Sequence, residues 1–260
     1  MAFKDAPTPA LLENVMGLIQ RKVEKQSTEL VKRFVSKFYG NLSRDDLFCR
    51  NDSELYGAAI SLWNALNQRK GDEPYIRVYN PELTRHGWQS SHTIVEIILN
   101  DTPFLVDSIR MALSRHSITA HLLLHQPLHL VRTKAGRVSK LLDLDQNAKD
   151  ERVETVFLIE IDRQTSEQEL VALSEELHSV VTEVRAAVSD WTPMLERLNQ
   201  LIKELPKQPF YGENYQREEA LEFLKWVADH NFTLMGYRSY DLVAVEGIMS
   251  SDPIWRAAWG

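Results

Sequence analysis

SHTIVEIILNDTPFLVDSIRMALSRHSITAHLLLHQPLHL, residues 91–130, reads as strand, tight polar loop, helix and strand in about forty residues. In the first strand Ile94, Glu96 and Ile98 alternate with Thr93, Val95, Ile97 and Leu99, the period-two pattern of a pleated segment. Asn100-Asp101-Thr102-Pro103 stops it. Pro103 suits the first turn of a helix, and Thr102 or Asp101 can cap the free amides there. Phe104, Leu105, Ser108, Ile109, Ala112 and Leu113 follow at helical spacing. His116-Ser117 ends that helix, and Ile118–Leu124 resumes as a strand. The segment is therefore a βαβ unit with a polar loop at a helix N-terminus. It holds no catalytic constellation, which is the anatomy of a sensing or interaction module.

Upstream the chain is helical. Leu11, Leu12, Val15, Met16, Ile19 and Val23 lie on one helical stripe, and Leu30, Val31, Phe34, Val35 and Phe38 make a second that Gly40-Asn41 ends. Asp52–Arg69 is a third helix, with Asp52 or Ser53 as its cap. Lys70-Gly71-Asp72-Glu73-Pro74 is a linker, and Tyr75–Tyr79 an edge strand ended by Asn80-Pro81.

Downstream, strands over Leu128–Arg132 and Arg137–Leu144 flank a hairpin turn with Gly136 at a positive-φ position. Val153–Ile161 is an apolar strand. Ser166 and Glu169 form a capping box that opens a long amphipathic helix, Ser166–Ser189. Helices follow around Met194–Leu205, stopped by Pro206, and over Tyr215–His230. Asn231–Val245 reads as a strand that opens a second α/β unit.

With 260 residues, 43% hydrophobic and 26% charged, the chain has the composition of an ordinary folded protein. A net charge of −7 argues against a general nucleic-acid binder. The single cysteine, Cys49, rules out an intrachain disulfide and suits a reducing compartment. No leader pattern opens the sequence, and no apolar run approaches the ~20 residues of a membrane span. A soluble cytoplasmic protein that binds neither membrane nor nucleic acid is the expectation.

The candidate chemistry is sparse. His121, His125 and His129 are spaced as metal ligands on a helix, but this stretch has strand composition. Residues four apart on a strand are separated by about 13 Å, too far for one metal, so no metal site is expected. Asp143-Leu144-Asp145 carries two loop carboxylates without a calcium-loop pattern. No GxGxxG, Walker-type or GxSxG motif appears. The loop Asn100-Asp101-Thr102-Pro103-Phe104, together with Asp107, remains as the ligand-binding candidate. A helix N-terminus offers free N–H groups and a partial positive charge to a carboxylate or phosphate, unless Asp101 or Thr102 occupies those donors as a cap.

IILNDTPFLVDSIRMAL at 97–113, HLLLHQPL at 121–128 and FTLMGYRSYDL at 232–242 resemble the N-terminal region of the large bacterial NAD-specific glutamate dehydrogenases. HTIVEII at 92–98 and EALEFLKWVADHNFTLMGY at 219–237 add to the likeness, which covers most of Met1–Glu246. The resemblance implies a regulatory N-terminal segment with ACT-like modules, whose dinucleotide- and glutamate-binding domain lies much farther along the parent chain. ACT modules typically carry Asp-x-Pro-Gly between the first strand and first helix, where amino acids bind. Asp101-Thr102-Pro103 matches, and Phe104 stands in the glycine position.

The expected fold is α+β, an α/β sandwich with an ACT-like antiparallel sheet and helices on one face. Its expected divisions are a helical segment 1–72, an ACT-like domain 73–190, helices plus the start of a second α/β unit at 191–246, and an atypical tail 247–260, truncated or non-native. The expected function is a non-catalytic regulatory and assembly segment without a cofactor of its own. The parent would deaminate L-glutamate oxidatively to 2-oxoglutarate and ammonia with NAD. The alternatives are an amino-acid-sensing module, a purely structural oligomerisation scaffold, and a free-standing enzyme built on Asp107, His121 or His125. Expected partners are the remainder of the parent, an amino-acid effector and a second copy. A sheet covered on one face leaves its other face or an edge to bury, so a homodimer through the 91–99 or 118–131 strands is expected, weakened by acid through its histidines.

Overall fold

The apolar runs at 93–99 and 156–161 become two of the three interior strands of a five-stranded sheet and are buried on both faces, as strands covered on both sides must be. The computed structural model describes residues 10–40, 42, 50–146, 148–207, 213–234 and 236–238. They fall into two compact units, 1–184 and 185–260.

In the first unit, three helices come first: α1 (Ala10–Lys22), α2 (Lys25–Tyr39) and α3 (Asp52–Gln68). Then follow β1 (Tyr75–Tyr79), a single helical turn α4 (Leu83–His86), β2 (Thr93–Asn100) and α5 (Leu105–Arg115). Last come β3 (Ala120–Arg132), β4 (Val138–Leu141), β5 (Glu151–Ile161) and α6 (Glu167–Ser189). The strand order is β1-β2-β5-β3-β4, with every neighbouring pair antiparallel. Strands β2 and β3 both run antiparallel to β5, which lies between them, and α5 connects them. This is a split βαβ, the core of an ACT-like α+β fold.

Strand parity sorts the side chains. Val95, Ile97, Leu99, Phe157, Ile159 and Ile161 meet Leu105, Ile109 and Leu113 of α5 and Leu173, Leu177 and Val181 of α6 in one core. Ile94, Ile98, Val156, Leu158, Leu128 and Leu130 meet Val31, Phe34, Leu62 and Leu66 in the other. Helices therefore lie on both faces. The face expected to stay open is covered by α1–α3, which carry their own apolar stripes and need a surface to bury them. The expected boundary at 72/73 separates elements that share this core.

Local signals explain most of the boundaries. The capping box of α6 forms: Ser166 Oγ accepts from the Glu169 amide, and Glu169 accepts from the Ser166 amide, both at 3.1 Å. The cap of α3 is Asn51 rather than Asp52 or Ser53. Its Oδ1 accepts from the Glu54 amide at 2.9 Å, leaving Asp52 and Glu54 as first-turn acids that favour the helix dipole. Within α3, Gly57 is required because a Cβ there would sit 2.3 Å from the Cβ of Trp88. The 133–136 turn closes with Gly136 at φ +83°.

Strand β3 runs unbroken through Pro127, where separate strands were expected. Strand β4 pairs only with Leu130–Arg132, so β3 is an edge at Pro127 and the missing N–H costs no ladder bond there.

The second unit contains α7 (Trp191–Glu204), a 3₁₀ turn at Leu205–Lys207, α8 (Asn214–Trp226) and a π-helical turn at Val227–Asn231. Residues 232–234 and 236–238, expected inside a strand over Asn231–Val245, have no strand pairing among the described residues. Asn231 instead ends the π-helical turn, its Nδ2 donating to the Trp226 carbonyl at 3.0 Å. The remainder of that expected strand, Cys49 and the 247–260 tail lie outside the described residues. Among the described residues no helix is long and apolar enough to cross a membrane.

Candidate functional site

The candidate loop leaves the end of β2 and turns into α5. Its conformation is set at Phe104, which caps the helix at φ 68°, ψ −1°, the left-handed region that favours glycine. The turn that a glycine would make freely is therefore present, with a phenyl ring that is 65% exposed in its place. Pro103 lies just before the cap rather than in the first helical turn, and is exposed.

The expected cap does not form. Thr102 Oγ1 donates to the Asn100 carbonyl at 2.9 Å. The Asp101 amide donates to the Val153 carbonyl at 2.9 Å, and Asp101 Oδ1 accepts from Thr155 Oγ1. Neither side chain is turned to the first-turn amides of α5, and the phenyl cap supplies no acceptor. Asp107 is exposed in that first turn.

Asn100 is drawn the other way, into a buried ionic cluster. Arg69 Nη2 donates to Asn100 Oδ1 at 2.9 Å, and Arg69 Nη1 lies 2.6 Å from Glu154 Oε2. Arg132 grips the same carboxylate with two bonds, Nε to Oε1 at 2.6 Å and Nη2 to Oε2 at 2.7 Å. Glu154 is wholly buried and Arg69 nearly so. The pairing offsets the large cost of burying these charges and ties the end of α3 to β3 and β5. Asn100 thus acts as a structural brace beside the loop.

Two further acids lie on that face of the sheet. Glu160 is paired with Arg50, whose Nε donates at 2.9 Å to Oε1 and whose Nη2 reaches Oε2. A cleft of about 470 Å³ opens here, walled by Trp88 and Leu158. The His92 and His121 rings meet in it with centroids 4.6 Å apart. Glu96 is wholly buried, accepts from Tyr79 Oη at 2.9 Å, and lies 3.9 Å from Arg77 Nη1. Burial pushes its carboxyl up, opposed by hydrogen bonds from Ser61 and Tyr79 and by the Arg77 charge.

The three spaced histidines separate. A bulge between Ala120 and Leu122 takes His121 out of step, and its Nε2 lies 2.7 Å from Asp162 Oδ1. His125 packs on Phe157 at 4.8 Å, and desolvation there pushes its imidazole down. His129 Nδ1 lies 2.5 Å from Glu151 Oε1. Asp143 is held by Arg33 and Lys37 at 2.5 Å each; these partners, first the Lys37 hydrogen bond, keep its carboxyl below the usual range. Among the described residues no three His, Cys, Asp or Glu side chains gather as a metal site.

The geometry is thus an antiparallel split-βαβ sheet with a glycine-type turn at the start of its first crossover helix. A sequence profile for the glutamate dehydrogenase ACT1 domain matches residues 34–177. The chain belongs to this ACT1 family. The matched stretch begins within α2 and ends within α6, so it includes α3 as well as the whole sheet. The chain is also similar to the NAD-specific glutamate dehydrogenase of Halomonas elongata, 33% identical over 251 residues that make up 96% of this chain and 16% of that protein. To the NAD-specific glutamate dehydrogenase of Pseudomonas aeruginosa it is 36% identical over 244 residues, 93% of this chain and 15% of that one. The chain spans about one-sixth of the length of these relatives.

In this ACT1 domain the loop was legible in sequence from Asp101-Thr102-Pro103. The cluster of Arg69, Glu154 and Arg132 was not singled out. A signal was present: Glu154 shares its strand parity with Val156 and Leu158, so a covered face would bury it and demand a cation.

Proposed function

We propose that this chain is the N-terminal regulatory and assembly segment of an NAD-specific glutamate dehydrogenase, with no catalysis of its own. The observation that carries the reading is the ACT1 match over residues 34–177, within relatives of which the chain makes up about one-sixth. On this reading the parent oxidatively deaminates L-glutamate with NAD in the cytoplasm, and the remainder of the parent is the segment's first partner. The polar groups support a structural and regulatory role. Arg50, Arg69 and Arg132 are each committed to a buried or nearly buried carboxylate, and the histidines are spread over separate partners. Purified, homogeneous chain should form no NADH from glutamate and NAD. Steady turnover at about 1 s⁻¹ or faster, at the low end of ordinary enzyme rates, would refute the non-catalytic reading.

A second reading rests on the uncapped start of α5: the 100–104 loop receives the carboxylate of an amino-acid effector. First-turn amides without a side-chain acceptor suit such a group. Calorimetric titration with the common amino acids checks it. Saturable binding that Thr102→Pro abolishes supports it, and no binding of any of them rejects it.

A further inference from the structure

A second cleft, of about 370 Å³, opens between α3, β1 and α4. Its polar lining comes from Ser61, Asn64 and Gln68 of α3, Arg77 of β1, and Arg85 and His86 of α4. None of its lining residues is acidic. In a chain of net charge −7, that is a local reversal of sign.

Three groups that carry or accept positive charge converge here. Arg77 lies over the Tyr79 ring at 3.8 Å, which fixes its guanidinium against the sheet. Arg85 is exposed on α4 and has no side-chain ion pair or hydrogen bond among the described residues. The His86 imidazole is pushed down by burial first and then by the nearby charges of Arg77 and Arg85, opposed by the Glu82 carboxylate and the Glu82 backbone hydrogen bond. His86 Nδ1 accepts from the Glu82 amide at 2.9 Å, which leaves the imidazole proton on Nε2 as a donor.

One buried acid lies beneath the cleft. Glu96 is the carboxylate that faces Arg77, and its Oε2 is buried without a hydrogen-bond partner, 3.9 Å from Arg77 Nη1. Burial drives that carboxyl toward its neutral form. Arg77 therefore keeps guanidinium N–H groups that this carboxylate does not engage, and Asn64 and Gln68 add neutral hydrogen-bonding groups beside it.

We propose that the cleft between α3 and β1 binds a small oxyanion ligand, gripped by Arg77 and Arg85 and seated on Asn64 and Gln68. Phosphate and carboxylate groups share this chemistry, since guanidinium matches both with paired N–H donors. The site is separate from the 100–104 loop and does not depend on the parentage proposed above. Its ligand would bridge α3 and the edge strand β1, and so tighten the helical layer on the sheet.

The test is calorimetric titration of the whole chain with inorganic pyrophosphate and, separately, with succinate, at low salt. Saturable binding of either is expected, and the arm that binds identifies the group. Arg85→Ala should weaken it at least tenfold; Arg85 is exposed, so the variant should melt like the parent chain. Arg110→Ala, which removes an exposed arginine of α5, should leave binding unchanged. Binding should also weaken on raising salt to 0.5 M. No binding of either probe, equal binding by Arg85→Ala, or equal weakening by both variants would overturn the proposal. An Arg85→Ala result matching the parent chain would also point to capture at the start of α5 instead.

Discussion

The two faces of the sheet are built from the same strands by opposite means. Toward α5 and α6 the middle strands present Val95, Ile97, Leu99, Phe157, Ile159 and Ile161, an unbroken aliphatic and aromatic layer. Toward α1–α3 the alternate residues of the same strands include Glu96, Glu154 and Glu160, all buried or nearly so. Each of these acids has an arginine: Arg77, Arg69 with Arg132, and Arg50. One face is sealed by dispersion and water exclusion. The other is held partly by directional ionic contacts, and the two clefts walled by Trp88 open on its side. Charge embedded in a packed layer restricts how helices can lie on a sheet, and it leaves polar groups where a ligand can reach them.

The largest effects should come from breaking either face at its centre. Glu154→Ala would strand Arg69 and Arg132 without their carboxylate and should cost about 3–5 kcal/mol. Phe157→Ala should cost about as much, roughly 3–5 kcal/mol, by opening a cavity in the apolar face. Urea melts of both variants measure this. The two differ in what rescues them: Glu154→Leu with both arginines made apolar should regain stability, whereas no change on the helical face of α1–α3 should rescue Phe157→Ala. If Glu154→Ala cost under about 1 kcal/mol, the ionic face would be no more than decoration.

Gly57→Ala is a smaller wedge. Its new Cβ meets Trp88, so α3 or the 87–92 segment must shift, at about 1–3 kcal/mol. Both clefts are walled by Trp88 and should change together, visible as a shift in tryptophan fluorescence.

Glu96 gives the ionic face a pH dependence. Its carboxyl is raised in the folded chain, so the native state holds the proton more tightly than the unfolded state does. Its contribution is complete below the ordinary glutamate value and is lost as pH rises through the raised folded value. Glu96→Gln should therefore gain on the parent chain between pH 5 and pH 8 in parallel thermal melts. A constant gap across that range would mean that Glu96 stays ionised throughout. At the other extreme His125→Ala, on an exposed ring that packs on Phe157, should fall within about 0.5 kcal/mol.

The apolar face was legible before the structure because Val95, Ile97 and Leu99, and Phe157, Ile159 and Ile161, follow the strand period and the apolar residues of α5 and α6 the helical one. The βαβ unit, the 133–136 turn and the Ser166–Glu169 capping box were readable for the same reason: each is a local pattern. The ionic face was not. Ile94-x-Glu96-x-Ile98 reads as one row of an alternating strand whether that row is wet or buried. Only the pairing of β1 with β2 and the docking of α3, both long-range events, decide that Glu96 meets Tyr79 and Ser61. The covered face also removes one reason to expect pairing of two copies across it. The loop divided similarly. Its position was readable from Asp101-Thr102-Pro103, but the left-handed turn at Phe104 and the commitment of Asn100 to Arg69 required the fold. The strand expected after Asn231 had apolar alternation without a neighbour to pair with among the described residues.

The difference between the faces is tested most directly by amide hydrogen exchange across the whole chain, with and without a saturating amount of the probe that binds, pyrophosphate or succinate. The account predicts slow exchange in β2 and β5 under both conditions, since both faces cover them. It predicts added protection on binding confined to α3, β1 and the 82–88 segment. Protection gained instead at residues 100–108, or no change anywhere along α3 and β1, would contradict the assignment of the responsive surface to the ionic face.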